Sequence, residues 1–238
     1  HIVVNGYAPD GDSIRFAPNE PANLENLRRS ALIRMSEKDC SIQLRLEGID
    51  SPELHYAAAA QPRGGAARDA LLRWLGVSGV TCALDGSTIT ACAPTAVPAQ
   101  ILTNAADPHG RLIAYLLKKG PRPVPGAPGV LPPRRRRVDE AVLRETANYA
   151  LLQEGHAYLL AYTSLPSVHR AVLRAAARAA RTRHLGVWQR DVTSRGFALR
   201  GKRSIGPGGA LIFPKLFRRC IDYLAQKAVG YSGTFVDW

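Results

Sequence analysis

A chain of 238 residues with 46% hydrophobic side chains holds one sizeable core plus an appendage, or two small domains, and is too apolar for wholesale disorder. Its 32 Lys and Arg against 19 Asp and Glu give a formal net charge of +13. That charge favours polyanion partners such as nucleic acid, anionic membrane or heparin-like polymers, but does not separate a binder from an enzyme or from a merely Arg-rich composition. No apolar run approaches the length of a membrane span. The chain begins at His1 rather than Met, which reads as removal of an upstream segment.

In chain order, Ile2 to Val4 is apolar and Asn5-Gly6 turns the chain. Asp10-Gly11-Asp12 is a tight-turn signal leading into the alternating Ser13-Ile14-Arg15-Phe16. Residues 17–38 form a long polar excursion with Pro18 and Pro21. From Ser41 to Ile49, Ile42, Leu44 and Leu46 alternate with Gln43, Arg45 and Glu47, the period of a half-buried strand. Ala66 to Leu75 predicts a helix with Ala67, Ala70, Leu71, Trp74 and Leu75 on one face and Gly76 as its cap. Val80 to Leu84 and Ser87 to Ala91 predict a hairpin about Asp85-Gly86. A two-residue turn there sets Cys82 opposite Ile89, not Cys92. The pairing of Cys40, Cys82, Cys92 and Cys220 therefore stays open, and the lack of a C-x-x-C pair argues against structural zinc.

Leu112 to Leu117 is a further strand. Residues 120–137 are Pro-rich and end in Arg134 to Arg137, either a solvated loop or an arm that touches phosphates. Asp139 caps a predicted helix running to Glu154 and closed by Gly155. Another follows Pro166, with Val168, Ala171, Val172, Ala175 and Ala179 as its inner face. Residues 192–238 read as an extension. Gly201, Gly206, Gly208 and Gly209 open it, and an amphipathic helix from Pro214 carries Leu216, Phe217, Cys220, Ile221, Leu224 and Ala228. That helix docks on the main domain or offers a partner surface. Strands first and helices late give an α+β class, a small closed barrel with helices packed on it.

The acidic residues are few, yet Asp10 and Asp12 share one turn, and Asp50 and Glu53 follow a strand in Gly48-Ile49-Asp50-Ser51-Pro52-Glu53. Carboxylates and a backbone carbonyl gathered at one barrel end make a hard-oxygen site suited to calcium. Pro52 fixes the backbone between Asp50 and Glu53, so one side chain can hold metal while the other handles a proton. The competing reading is ordinary loop and helix-cap acids. Arg45, on the strand, and Arg111, after Asp107-Pro108-His109-Gly110, shift the balance. Two guanidinium groups aimed at an acidic metal site make sense when a phosphate sits among them.

Four segments in order resemble the staphylococcal nuclease (thermonuclease) family. They are Asp10-Gly-Asp-Ser13, Arg45-Leu-Glu-Gly-Ile-Asp50-Ser-Pro-Glu53, Asp107-Pro-His-Gly-Arg111-Leu-Ile-Ala-Tyr115 and Asn148-Tyr-Ala-Leu-Leu-Gln-Glu-Gly155-His-Ala157. Leu185-Gly186-Val187-Trp188 matches the family's final helix. The resemblance covers about residues 1–191, with 118–137 as an insertion loop, and leaves 192–238 as an extension containing one helix. It implies a five-stranded OB-fold β-barrel with three packed helices.

The resemblance also implies a calcium-dependent endonuclease or other phosphodiesterase that cuts DNA or RNA and leaves 3′-phosphate ends. Asp12 and Asp50 bind calcium by carboxylates and Ser51 by its carbonyl, where the family usually has Thr. Asp10 orders calcium-bound water. Glu53 is the general base, and Arg45 and Arg111 grip the phosphate. Pro108 and His109 replace a Lys-Tyr pair of the reference member. His109 then donates to a terminal phosphate, or is a plain loop histidine. Of the substrate-stacking tyrosines, Tyr162 remains, between Ala161 and Thr163. His55 and Tyr56, just past the base, either contact substrate or are loop residues.

The alternative is a catalytically silent nucleic-acid-binding module of the same fold, which would be expected to lose Glu53, an Arg or a metal Asp. A basic adhesion or membrane-surface protein is a third reading. Secretion or a cell-envelope location suits a weak open calcium site.

Overall fold

The computed structural model describes residues 1–118, 137–162 and 165–238. Most of the Pro-rich stretch, with Arg134 to Arg136, lies outside the described residues, as does Thr163.

The strands are β1 (Ile2–Val3), β2 (Ser13–Phe16), β3 (Ile42–Leu46), β4 (Ile49–Asp50), β5 (Ser78–Cys82), β6 (Ile89–Ala93), β7 (Ala96–Val97), β8 (Ala99–Ala106), β9 (Leu112–Lys118) and β10 (Tyr158–Leu159). The helices are α1 (Gly64–Leu75), α2 (Glu140–Arg144), α3 (Ala147–Gln153), α4 (Ser167–Thr182), α5 (Lys202–Ile205) and α6 (Pro214–Ala228). Six strands form one sheet in the order β7-β1-β2-β3-β9-β8, while β4 pairs with β10 and β5 with β6. The α+β class holds. The hairpin register also holds: Cys82 faces Ile89. All four cysteines are free thiols.

The expected closed five-stranded barrel is not what the strands form. The two edges, β7 and β8, are separated in sequence only by Pro98, so the sheet curls until its edges meet there. No ladder joins them among the described residues. A proline at that junction has no N–H to offer.

The helices differ from expectation in number and in one face. The single helix expected from Asp139 to Glu154 is two, broken at Thr146. The Thr146 hydroxyl donates to Leu143 O at 2.6 Å and accepts from Tyr149 N at 3.2 Å, ending one helix and capping the next. In α4 the buried face is His169, Val172, Leu173, Ala176, Ala177 and Ala180. Of the five residues expected inside, only Val172 is buried; Val168, Ala171, Ala175 and Ala179 face solvent. Alanine on both faces makes the stripe ambiguous, and Leu173 and His169 decide it. The Val138 carbonyl can only accept, so His169 Nε2 donates to it at 2.8 Å and Nδ1 takes the Tyr115 hydroxyl at 2.9 Å.

One core gathers Ile2, Ile14, Ile42, Leu44, Leu46, Leu71, Leu112, Leu116 and Leu173 from sheet and helices. Asn148, fully buried on α3, fastens helix to sheet: it accepts from Leu116 N and donates to Glu47 O and Ala114 O. The extension has a core of its own, with Ile205, Ile212, Phe217, Cys220 and Ile221 buried against Tyr56 and Ala59. Burying Phe217 and Ile221 stabilises this docking by roughly 1.5–3 kcal/mol each. Polar contacts set its register. Gln61 Nε2 donates to Ile212 O at 2.8 Å, and the Tyr56 hydroxyl donates to Asp222 at 3.0 Å. The expected docking of α6 on the rest of the chain is therefore what the structure has.

Candidate active site

The register of three strands decides which side chains meet. Ser13 pairs with Arg45 across antiparallel β2 and β3, so the Asp10–Asp12 turn lies at the Arg45 end of β3. The Leu46 N–H donates to Asp12 O at 2.9 Å and closes that corner. β3 and β9 run parallel, with Leu44 opposite Leu112 and Arg45 opposite Ile113. By the two-residue period, Arg111 falls on the polar face of Gln43 and Arg45, opposite the core face. Asp50 sits at the end of β4, held by its partner Tyr158 on β10.

Two glycines allow the approach. A Cβ on Gly11 would stand 2.6 Å from Ala67 Cβ and 2.8 Å from Ser51, so the acidic turn reaches the Ser51 loop only without a side chain. Gly110, with φ of 82°, sits against Leu32 O, where a Cβ would come within 2.3 Å, and turns the chain into Arg111.

Asp10, Asp12, Asp50, Ser51, Glu53 and Arg45 come together as expected. Arg45 pairs with Asp12 through Nη1, and Nη2 donates to Asp50 Oδ1 at 2.8 Å. The Ser51 N–H donates to Asp12 Oδ2 at 2.8 Å. Asp10 accepts from Gly11 N at 2.8 Å and from Leu54 N at 3.4 Å. The Glu53 N–H donates to Gln61 Oε1 at 3.1 Å. Burial, with Asp12 and Glu53 close by, pushes the Asp10 carboxyl up to about 8. Burial also raises Glu53, against the pull of Arg218, and raises Asp50, where Asp12 adds to the push and Arg45 and Arg218 oppose it. Burial works to lower Arg45, but Asp12 and Asp50 outweigh it and hold the guanidinium above its ordinary value.

Arg111 stands apart from the carboxylates. Its Nε donates to Asp107 Oδ2 at 2.7 Å, and Asp107 Oδ1 takes the N–H groups of Arg111 and His109. Arg111 and Arg45 line one cleft of roughly 630 Å³, together with Arg28, Arg29, His109 and Tyr162. His109 and Tyr162 thus face the same space as both arginines. Asp12, Asp50 and Glu53 do not line the cleft, and Arg45 is the member that belongs to both.

The family model described as Staphylococcal nuclease homologue matches residues 43–190, more than half of the chain. The chain belongs to the staphylococcal nuclease homologue family. Comparison with the curated proteins gives no significant match. The matched span of this nuclease homologue holds Arg45, Asp50, Ser51, Glu53 and Arg111, whereas Asp10 and Asp12 precede it. Family membership supports nuclease or nucleic-acid-binding function and a nucleic acid as substrate. Among the described residues no helix is long and apolar enough to cross a membrane.

One contact in this nuclease homologue has no counterpart in the sequence reading. Arg218, from α6, reaches the carboxylates across more than 160 positions of chain. Its Nη2 donates to Asp50 Oδ2 at 3.0 Å, and Nη1 donates to Asp50 Oδ1 at 3.2 Å and pairs with Glu53. Arg28 and Arg29 on the cleft were also missed, though an Arg pair inside a polar excursion is a weak signal of a phosphate-facing surface. Among the described residues no group of three or more His, Cys, Asp or Glu side chains stands ready to hold a metal ion. Guanidinium groups occupy Asp12, Asp50 and Glu53 instead. The donor set still fits a hard cation. Every candidate ligand is an oxygen, the carboxylates crowd one another, and the buried Ser51 Oγ has no hydrogen-bond partner.

Proposed function

We propose that the chain is a calcium-dependent nuclease that hydrolyses phosphodiester bonds of DNA or RNA and leaves 3′-phosphate ends. The observation that carries this reading is the position of Arg45: one guanidinium tied to two carboxylates of metal-ligand type while lining the cleft that also holds Arg111. A simple calcium store has no use for two arginines there, whereas a phosphate bound between them has.

Asp12 and Asp50 would hold calcium by their carboxylates and Ser51 by its carbonyl, with Asp10 ordering the water around it. Bound calcium supplies positive charge beside the phosphate. Arg28 and Arg29 draw the polyanion into the cleft, and His109 and Tyr162 meet a terminal phosphate and a base. Arg45 and Arg111 stabilise the equatorial oxygens as charge builds on them. Glu53 takes a proton from the water that attacks phosphorus. The bond from phosphorus to the 5′ oxygen breaks, and that oxygen takes a proton from solvent, which leaves a 3′-phosphate and a 5′-hydroxyl.

Arg218 favours a second reading, a nucleic-acid-binding module of the same fold in which the base and a metal ligand stay permanently engaged. Incubation of single-stranded DNA with the protein, in calcium or in chelator, separates the two. Cleavage that needs calcium and yields 3′-phosphate ends is expected. Retained binding with no cleavage in calcium would establish the silent module.

A further inference from the structure

Arg218 is neither on the family-matched segment nor near the acids in sequence, yet it makes more hydrogen bonds to Asp50 than Arg45 does. Its helix is not resting there by chance. Phe217, Cys220 and Ile221 fix α6 through a buried apolar core, and Tyr56 and Gln61, both on the loop that follows Glu53, bind Asp222 and Ile212 of the extension. The helix thus presents Arg218 to the site while apolar packing and separate polar contacts hold the helix itself. A guanidinium on a flexible three-carbon stem can leave the carboxylates without undocking α6.

We infer that Arg218 is a built-in competitor of the divalent cation: its guanidinium occupies the carboxylate oxygens of Asp50 that the cation must take, so loading the site displaces Arg218 from Asp50. This rests on the calcium site proposed above and adds its regulation. A guanidinium and a divalent cation cannot both fill the lone pairs of a fully buried carboxylate that Arg45 already shares. Each state of the site therefore excludes the other. Without the cation Arg218 also pairs with Glu53, one helix turn from the Lys215 that lies 5.8 Å from the Tyr162 ring at the cleft. The extension thereby sets the calcium level at which the site fills.

The test is calcium titration of the whole chain by calorimetry, without substrate. Arg218→Gln should bind calcium about 10- to 100-fold more tightly than the wild type, the factor by which a charge-assisted fork lowers the cation-competent fraction. Arg218→Lys, a point charge without the fork, should fall between. Arg219→Gln removes the same unit charge from α6 at a residue stacked over Phe235 and Trp238, and should match the wild type within about twofold. Wild-type binding with an unchanged or weakened Arg218→Gln variant would overturn the competition and leave the nuclease reading standing. Absence of calcium binding in every variant would overturn both. Should the Arg218 variants not fold, the Nη2–H resonances of Arg218 in the wild type decide: they should be protected without calcium and lose protection as calcium saturates. Protection that persists at saturation would refute the displacement.

Discussion

Replacing Arg45 by Ala should cost stability as well as turnover. The Arg45 side chain is only 14% exposed, and its partner Asp50 not at all. Truncation leaves Asp12 with the Ser51 N–H and Asp50 with Arg218 as their remaining hydrogen-bond and ion-pair partners. Removing one partner of a buried ion pair costs about 3–5 kcal/mol where the other charge stays buried without compensation; Asp12 loses its counter-charge while Asp50 keeps Arg218, which places the cost toward the lower end. Against a total stability of roughly 5–15 kcal/mol, the variant still folds in dilute buffer but with a much lower urea midpoint. Calcium separates this cause from lost packing. A ligand at about 100 times its dissociation constant stabilises the folded state by about 2.7 kcal/mol, and the carboxylates freed from Arg45 are the ones it would take. Urea unfolding in chelator and in excess calcium should show the penalty shrinking with calcium. A loss below about 1 kcal/mol in chelator, or a penalty indifferent to calcium, would refute the reasoning.

Glu53→Gln keeps shape and should lower kcat by about 10²–10⁴-fold with little change in KM, read from initial rates on single-stranded DNA; a near-normal rate would remove Glu53 from the base role. Arg111→Gln should lower turnover by about 10²–10³-fold, while the exposure of Arg111 (36%) and the two backbone N–H groups that Asp107 keeps limit its stability effect to about 1 kcal/mol in urea unfolding. Burial acts to raise the Asp107 carboxyl, but the N–H groups of Arg111 and His109 and the Arg111 guanidinium outweigh it and hold it below its ordinary value. A depressed carboxylate stabilises fully above its unfolded value of about 3.9 and loses that contribution as pH falls through the folded value. Asp107→Asn should therefore flatten the stability–pH curve on its acid limb; equal slopes below about pH 4 in both proteins would contradict this. Asn148→Ala strands Leu116 N, Glu47 O and Ala114 O inside the protein and should cost about 3 kcal/mol in urea unfolding, and a loss under about 1 kcal/mol would mean water replaces the amide.

What was legible in the sequence was what neighbouring residues decide. Alternation from Ser41 to Ile49 placed Arg45 on the polar face of a strand, and the pairing of Cys82 with Ile89 was foreseen, although the strands stop at Cys82 and Ile89 and the turn bond runs from Gly86 N to Ala83 O rather than closing a two-residue Asp85-Gly86 turn. The α4 face was misread because its six alanines divide evenly between the two faces, Ala176, Ala177 and Ala180 inside and Ala171, Ala175 and Ala179 outside, and only the partners of His169, from β9 and from Val138, choose between them. Thr146 looked like one more helical residue until its hydroxyl bonded both ways.

The acids and arginines of the site were each visible at a strand end, but no local rule states that β3 and β9 lie parallel. That pairing, not the motif, sets Arg111 on the face of Arg45. Arg218 marks the same limit more sharply. Its helix periodicity shows which residues are apolar and says nothing of where the intervening arginine points. Its contact is fixed only when Tyr56 and Gln61, on the loop that carries the base, take hold of Asp222 and Ile212. The loop that positions Glu53 is thus also the dock for the helix that pairs with Glu53. A change in one should therefore be felt in the other: loosening the extension, as Tyr56→Phe would by freeing Asp222, should shift both the mobility of α6 and the calcium occupancy of Asp50.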